Sequence, residues 1–337
     1  MTTPLLSVRD LSVAFQTDDG LVKAVNGVSF DLQAGETLAM VGESGSGKSV
    51  AAMAIMRLLP SYADVNGAIE FEGKDLLGLS DRQMRRLQGS RIAMIFQDPM
   101  TALNPVFTVG NQLVEAIRVH HRNVSKHAAR TRAIELLDLV GITGTSHFDN
   151  FPHEYSGGMR QRAMIAIGIA NDPALLIADE PTTALDVTIQ AQVIEVMKAA
   201  QEATGAAMIL ITHDLGLVAG VAERIQVMYG GRLFESGDTD TIYYHSRNPY
   251  TRGLMSSIPS AGTRTSHRLE PIQGAPPSAI YPPQGCAFRP RCPHADRRCL
   301  EEPELRPLDF SRTHWSRCHY AEQLPAFRRD ESIGSSA

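Results

Sequence analysis

Gly42-Glu43-Ser44-Gly45-Ser46-Gly47-Lys48-Ser49 decides how the rest of the chain is read. It fits G-x-x-x-x-G-K-[ST], the phosphate-binding P-loop. Before it runs Thr37-Leu-Ala-Met-Val41, short and apolar enough for a buried strand. After it runs Val50-Ala-Ala-Met-Ala-Ile-Met-Arg-Leu-Leu59, rich in helix formers. The glycines let the backbone wrap tightly, so that several N–H groups point at one anion, and the helix N-terminus adds its positive end. Lys48 is expected to reach the β- and γ-phosphates of a nucleotide, and the Ser49 hydroxyl to ligate Mg²⁺. A Gly/Ser-rich turn without strand, helix, lysine and serine around it would carry no such reading.

Working outward, the chain has 337 residues, enough for one large or two domains. Its 43% apolar content is ordinary for a protein with a sizeable core. A net charge of −5 argues against nucleic-acid binding through bulk charge. No apolar run approaches the ~18–20 residues needed to cross a bilayer. The first ten residues lack a basic stretch followed by an apolar one, as a secretory signal would have. A cytosolic chain is expected, reaching any membrane through a partner.

Upstream of the loop, Val8 to Phe15 and Val22 to Leu32 alternate apolar and polar residues. Thr17-Asp-Asp-Gly20 between them is turn chemistry. This predicts an antiparallel pair laid before the nucleotide-binding strand. Phe15 has a face on which a base can stack, worth about 1–3 kcal/mol, although its spacing alone reads as core. Gly67-Ala-Ile-Glu-Phe-Glu-Gly73 reads as a further short strand.

Downstream, Arg91-Ile-Ala-Met-Ile-Phe-Gln97 is an apolar strand ending in an amide, followed by a loop up to Pro105. Val109, Leu113 and Ile117 share one helix face, and Ser125 is an expected N-cap for a helix ending near Val140, with Gly141 just beyond. Residues from about 99 to 158 therefore read as a helical insertion in an α/β chain. Within it, Ser156-Gly157-Gly158 opens a helix and forms a second anion-binding end, one more than a single nucleotide needs from one subunit. Ala174-Leu-Leu-Ile-Ala-Asp179-Glu180 is a buried strand ending in two carboxylates. Asp179 suits Mg²⁺, directly or through water. Glu180 is placed to activate water as a general base, an effect of about 10²–10⁴ in rate. Ala206-Ala-Met-Ile-Leu-Ile-Thr-His213 is another apolar strand, and its terminal histidine lies where ligands of open α/β sheets gather.

These motifs, in this order, resemble the ATP-binding subunits of ABC transporters over roughly residues 5 to 240. The resemblance implies a P-loop NTPase core with an antiparallel β subdomain and an inserted helical subdomain. It makes Gly42–Ser49 the Walker A loop, Gln97 the Q-loop, Tyr155-Ser-Gly-Gly-Met159 the signature, Asp179 with Glu180 the Walker B end, Asp186 the D-loop, His213 the switch and Phe15 the adenine-stacking aromatic. The family more often has Tyr at the aromatic position, and the signature departs from Leu-Ser-Gly-Gly-Gln at both ends, but Ser156, Gly157 and Gly158 remain. Mg²⁺ is then expected at Ser49, Gln97 and Asp179. In this family two subunits sandwich two ATP molecules head to tail, which accounts for the second anion-binding end.

A narrower resemblance, to the bacterial oligopeptide/dipeptide importer branch, rests on four stretches. They are Phe96-Gln-Asp-Pro-Met-Thr-Ala-Leu-Asn-Pro105, His153–Arg162, Asp179–Gln192 and Asn248-Pro-Tyr-Thr-Arg-Gly-Leu254. It implies two permease subunits, a second ATP-binding subunit, an extracytoplasmic solute-binding protein, and a place on the cytoplasmic face of the membrane. The branch also serves nickel, glutathione and antimicrobial peptides. A soluble ABC-type ATPase acting on nucleic acid is disfavoured by the single core and the negative charge. A cluster-assembly ATPase is disfavoured by the importer-like strings.

An ATP-binding domain is thus expected over residues 1–258 and an irregular extension over 259–337. Eleven of the nineteen prolines fall in the extension, which predicts extended rather than helical chain around Ala275–Pro283. All four cysteines fall there too, at Cys286, Cys292, Cys299 and Cys318. Disulfides are disfavoured in a reducing cytosol; four thiolates suit zinc or an iron–sulfur cluster. Some members of the importer branch carry a 4Fe–4S cluster on such a set, so the resemblance implies that cluster first, zinc second and free thiols third, in a structural role. Arg289, Arg291, Arg297, Arg298 and Arg317 are expected to offset its negative charge or to form a solvated basic face. The last residues, from Asp330, read as a frayed tail.

Overall fold

The computed structural model describes residues 3–183, 185–257, 272–308 and 311–325. Ala184 of the Ala-Leu-Asp loop, the start of the extension at 258–271 and the expected tail lie outside the described residues.

The chain opens with two long strands, β1 (Leu6–Thr17) and β2 (Gly20–Leu32), paired antiparallel across the predicted turn. The apolar run before the P-loop is β3 (Thr37–Val41), buried at all five positions. The helix after it, α1 (Lys48–Ile55), is shorter than its sequence suggests. It stops where Arg57 turns to φ +50°, outside the helical region. β4 (Ala63–Phe71) begins earlier than the glycine-bounded stretch and runs through Gly67, and β5 (Lys74–Asp75) pairs with its end. α2 (Asp81–Leu87) starts at a capping box made by Ser80 and Gln83. β6 (Ile92–Ile95) follows.

The expected helical insertion is present as α3 (Pro99–Ala102), α4 (Val109–His120), α5 (Lys126–Leu139), α6 (Gly144–His147) and α7 (Gly157–Gly168). Ser125 caps α5 by accepting from the Ala128 amide, and Gly141 follows its end at φ +72°. The chain then alternates β7 (Leu175–Asp179), α8 (Val187–Thr204), β8 (Ala207–Thr212), α9 (Leu215–Val218) and β9 (Arg224–Tyr229). It continues with β10 (Arg232–Asp238), α10 (Thr239–His245) and α11 (Pro249–Ser256).

Two sheets result. The antiparallel one has the order β2-β1-β4-β5. The main sheet has a parallel centre, β9-β3-β8-β7-β6, with P-loop strand β3 between β8 and β9. Its strands are apolar on both sides because both faces are covered. Leu176 and Ala178 of β7 join a core beneath the helices of the insertion and α8. Leu175 and Ile177 join a core shared with α1 and the antiparallel sheet.

The extension departs from the expectation of irregular chain. Residues 272–305 hold only short 3₁₀ turns, at Arg289–Arg291 and Arg297–Leu300. But β11 (Arg306–Leu308) and β12 (Ser311–Ser316) are strands, and β12 pairs antiparallel with β10. The extension therefore forms an edge of the main sheet, covering β10, which would otherwise offer its unpaired backbone to solvent. Buried His314, with Nε2 2.8 Å from Glu235 Oε1, ties β12 to β10. Among the described residues, no helix is long and apolar enough to cross a membrane.

Candidate functional site

The P-loop joins β3 to α1 at the carboxyl end of the sheet, beside the tips of β7 and β8. Two of its glycines are dictated by close approach. A Cβ on Gly42 would stand 2.1 Å from the Met228 carbonyl oxygen, and one on Gly47, at φ +99°, 2.4 Å from that of Ala24. Lys48 is folded back over the loop. Its Nζ donates to the carbonyls of Gly42 (2.7 Å) and Glu43 (2.9 Å) and to Ser46 Oγ (3.2 Å). Burial pulls its ammonium pKa below the ordinary lysine value, while Glu180, Asp179 and Glu43 oppose that shift. Ser44 and Gly45 complete the exposed outer turn.

At the tip of β7, Asp179 Oδ1 accepts a hydrogen bond from Ser49 Oγ at 2.7 Å. Burial raises the Asp179 pKa, and adjacent Glu180 raises it further; the Ser49 bond and Lys48 pull the other way. Hydroxyl and carboxylate oxygens facing each other at this point are the hard donor set that Mg²⁺ takes, so these residues fit the ion.

Glu180 carries the centre of the site. Its Oε2 accepts from Gln97 Nε2 at 3.0 Å and from Thr183 Oγ1 at 2.9 Å, and lies 3.5 Å from His213 Nδ1. Its backbone stands at φ +47°, in the left-handed region, where strain of about 1–3 kcal/mol is retained chiefly at functional sites. Gln97, from the end of β6, thus touches the carboxylate rather than the Ser49–Asp179 pair. Thr183 was not singled out from sequence, although it lies in the quoted Asp179–Gln192 stretch.

The three remaining motifs stand elsewhere. Ser156 caps α7 by accepting from the Met159 amide at 3.2 Å, leaving Gly157 and Gly158 in its first turn. Gly158 packs where a Cβ would lie 2.9 Å from Ile189 of α8. Asp186 caps α8 through the Ile189 amide at 3.0 Å. Phe15 is half-buried against the core of the antiparallel sheet and meets Tyr62 edge-on at 6.2 Å between ring centroids.

A family profile described as "ABC transporter" matches residues 25–183, and one described as "Oligopeptide/dipeptide transporter, C-terminal region" matches residues 234–299. The oligopeptide transport ATP-binding protein OppD of Bacillus subtilis is 51% identical over 317 residues, covering 93% of this chain and 88% of that protein. The chain belongs to the oligopeptide/dipeptide branch of the ABC transporter ATP-binding proteins. The dipeptide transport ATP-binding protein DppD of Escherichia coli is 48% identical over 319 residues, covering 94% and 96%. OppD of Mycobacterium tuberculosis is 55% identical over 318 residues, but this chain spans only 52% of that protein's length. In three dimensions the chain is similar to cbiO1 of Clostridium perfringens, described as part of the ABC transporter complex cbiONQ. There the TM-score is 0.61 at 26% identity, covering 72% of this chain and 91% of the other. A dimeric ATP-binding cassette bound to ADP and Pi superposes with a TM-score of 0.63 at 24% identity and supports the fold.

The C-terminal part of this ABC protein gathers its cysteines in one place. The four cysteines do line one cavity, of about 20 Å³, together with Arg289 and Arg317. None is in a disulfide. Among the described residues no group of three or more His, Cys, Asp or Glu is placed to hold a metal ion. Space of this size suits about one water. Burial raises the thiol pKa of Cys286, and pushes those of Cys292 and Cys318 up to about 11; neighbouring cysteines add to each shift. These three thiols therefore hold their protons more tightly than a free cysteine does.

The arginines are distributed differently. Arg317 donates to the Leu233 and Pro303 carbonyls, and Arg298 lies over the Tyr320 ring. Arg291 leaves the cysteines altogether and pairs with Glu43 of the P-loop. Nothing local in the sequence marks that pairing.

Proposed function

We propose that this chain is the ATP-hydrolysing subunit that powers peptide uptake through a bacterial ABC importer. The observation that carries the reading is the constellation on Glu180. One carboxylate is oriented by Gln97, Thr183 and His213, beside Lys48 and the Ser49–Asp179 pair. Lys48 exchanges its loop carbonyls for the phosphates of ATP. Glu180 takes a proton from a water that attacks the γ-phosphorus; the bond to the β–γ bridging oxygen breaks, giving ADP and inorganic phosphate. His213 and Gln97 hold Glu180 and the attacking water in line. Ser49 and Asp179 would hold Mg²⁺, with Gln97 the expected third ligand, and the ion would neutralise charge developing on the phosphates. Phe15 offers a stacking face for adenine.

Ser156, Gly157 and Gly158 grip the nucleotide of a second ATP-binding subunit, and that subunit's equivalent grips the nucleotide held here. Asp186 lies at the same junction. Closure of the pair is passed through the loop at Gln97 to two permeases, which receive solute from an extracytoplasmic binding protein. The chain then works at the cytoplasmic face of the membrane, attached through the permeases. Identity of about half with proteins named for oligopeptide and dipeptide transport supports peptides over nickel or glutathione.

Four thiols around one cavity support a 4Fe–4S cluster on Cys286, Cys292, Cys299 and Cys318, with zinc as second choice. Thiolate donors suit either group. Anaerobically purified protein should contain iron and absorb broadly in the visible range; stoichiometric zinc without iron would remove the cluster.

The test of the whole reading is affinity purification of this chain from detergent-solubilised native membranes, with mass spectrometry of what accompanies it. Two multi-span permeases and a binding protein are expected. Recovery from the soluble fraction alone, with DNA-repair or cluster-assembly proteins, would overturn it.

A further inference from the structure

The extension reaches into the P-loop through one side chain. Arg291 Nη1 donates to Glu43 Oε2 at 2.6 Å and Nη2 to Glu43 Oε1 at 2.9 Å, a two-pronged pairing. The same guanidinium donates to Tyr229 Oη at 3.1 Å and to the carbonyls of Gln273 (2.9 Å) and Ile272 (3.2 Å). Its side chain is only 4% exposed, that of Glu43 25%. The Glu43 amide donates to Tyr250 Oη at 2.9 Å, and its carbonyl accepts from Lys48. One residue of the loop is thus held at its amide and its carboxylate by groups from outside the loop.

The charge of Glu43 makes this pairing consequential. It is a carboxylate inside a loop whose task is to receive a triphosphate. Unpaired and partly buried, it would repel that ligand and compete for Lys48, whose ammonium already feels it. A fork of donors satisfies both oxygens at once, which a flexible lysine cannot do.

We propose that Arg291 is a positioning residue for nucleotide binding: it neutralises Glu43 and fixes the first turn of the P-loop, so that the C-terminal extension sets the affinity of the ATP site. This rests on the reading of Gly42–Ser49 as a nucleotide loop.

The test is nucleotide affinity of the full chain, measured with a fluorescent ATP analogue and Mg²⁺. Arg291→Met leaves the carboxylate unpaired and should weaken binding about tenfold. Adding Glu43→Gln removes the charge, and the double variant should recover to within about threefold of wild type. Arg291→Lys keeps charge without the fork and should fall between. Unfolding temperatures of the double variant and of Arg291→Lys guard against misfolding. Arg291→Met binding as wild type does would overturn the inference, as would a folded double variant no better than Arg291→Met alone. A wild-type chain that binds no nucleotide would overturn the proposed function and this inference with it.

Discussion

Ser49 Oγ lies 2.7 Å from Asp179 Oδ1, although the two residues are 130 positions apart. One stands at the first turn of α1, the other at the tip of β7. They meet because β3 and β7 both flank β8 in the parallel sheet. Asp179→Asn keeps the size and loses the charge. It should abolish the Mg²⁺-dependent part of ATP binding and cut turnover at least about a hundredfold, since such an ion contributes several kcal/mol. Mg²⁺ titrations of wild type and variant decide it; an unchanged Mg²⁺ requirement would place the ion elsewhere.

Glu180 bears the hydrogen bonds of Gln97 and Thr183. Glu180→Gln preserves shape and removes the base. ATP binding should persist while turnover falls by about 10²–10⁴. Near-normal hydrolysis would show that Glu180 is not the base.

The cysteine cavity predicts a pH dependence. Cys292 and Cys318 have thiol pKa values raised from 9.0 to about 11. A raised pKa means that the folded chain holds protons that the unfolded chain has already lost. Stability from these groups is therefore complete below about pH 9 and is lost as pH rises toward 11. The unfolding temperature of metal-free protein should fall across that window, and Cys292→Ser/Cys318→Ser should flatten the fall. Alkylation should likewise be slow at pH 7 and accelerate toward pH 11. Fast alkylation at neutral pH would mean that the thiols are ionised and the cavity open.

Asp186 caps α8, which explains its residue type without reference to a ligand. Asp186→Ala should destabilise the chain by about 1 kcal/mol, and Asp186→Asn by much less. If Asp186→Asn keeps the unfolding temperature but loses ATPase activity, the carboxylate acts at the subunit junction as well. If both properties survive, the cap is its whole role.

How much of this was legible beforehand varies with distance along the chain. The P-loop, the carboxylate pair at Asp179–Glu180 and the caps at Ser125 and Ser156 are local patterns. Each is specified within one or two turns of backbone, where residue type and geometry are tightly linked. Thr183 stood in plain view in the same turn, but nothing in its type marks the hydroxyl as a partner of Glu180. Tyr62 beside Phe15 was missed because strand pairing, not sequence proximity, brings β4 to β1. The prolines and short segments of the extension hide two strands that exist only by pairing onto β10.

By itself the sequence determined which groups are available to a nucleotide, and in what order the chain delivers them: glycines, Lys48, Ser49, Gln97, the signature, Asp179, Glu180 and His213. That much follows from local steric rules and from the chemistry of each side chain. Only the tertiary structure decided who meets whom. It set Gln97, Thr183 and His213 around one carboxylate, gathered four thiols around one cavity, and sent Arg291 to Glu43 across 248 positions. Such pairings depend on the order of strands in a sheet and on burial that removes the competition of water, and neither is written in any short stretch of residues.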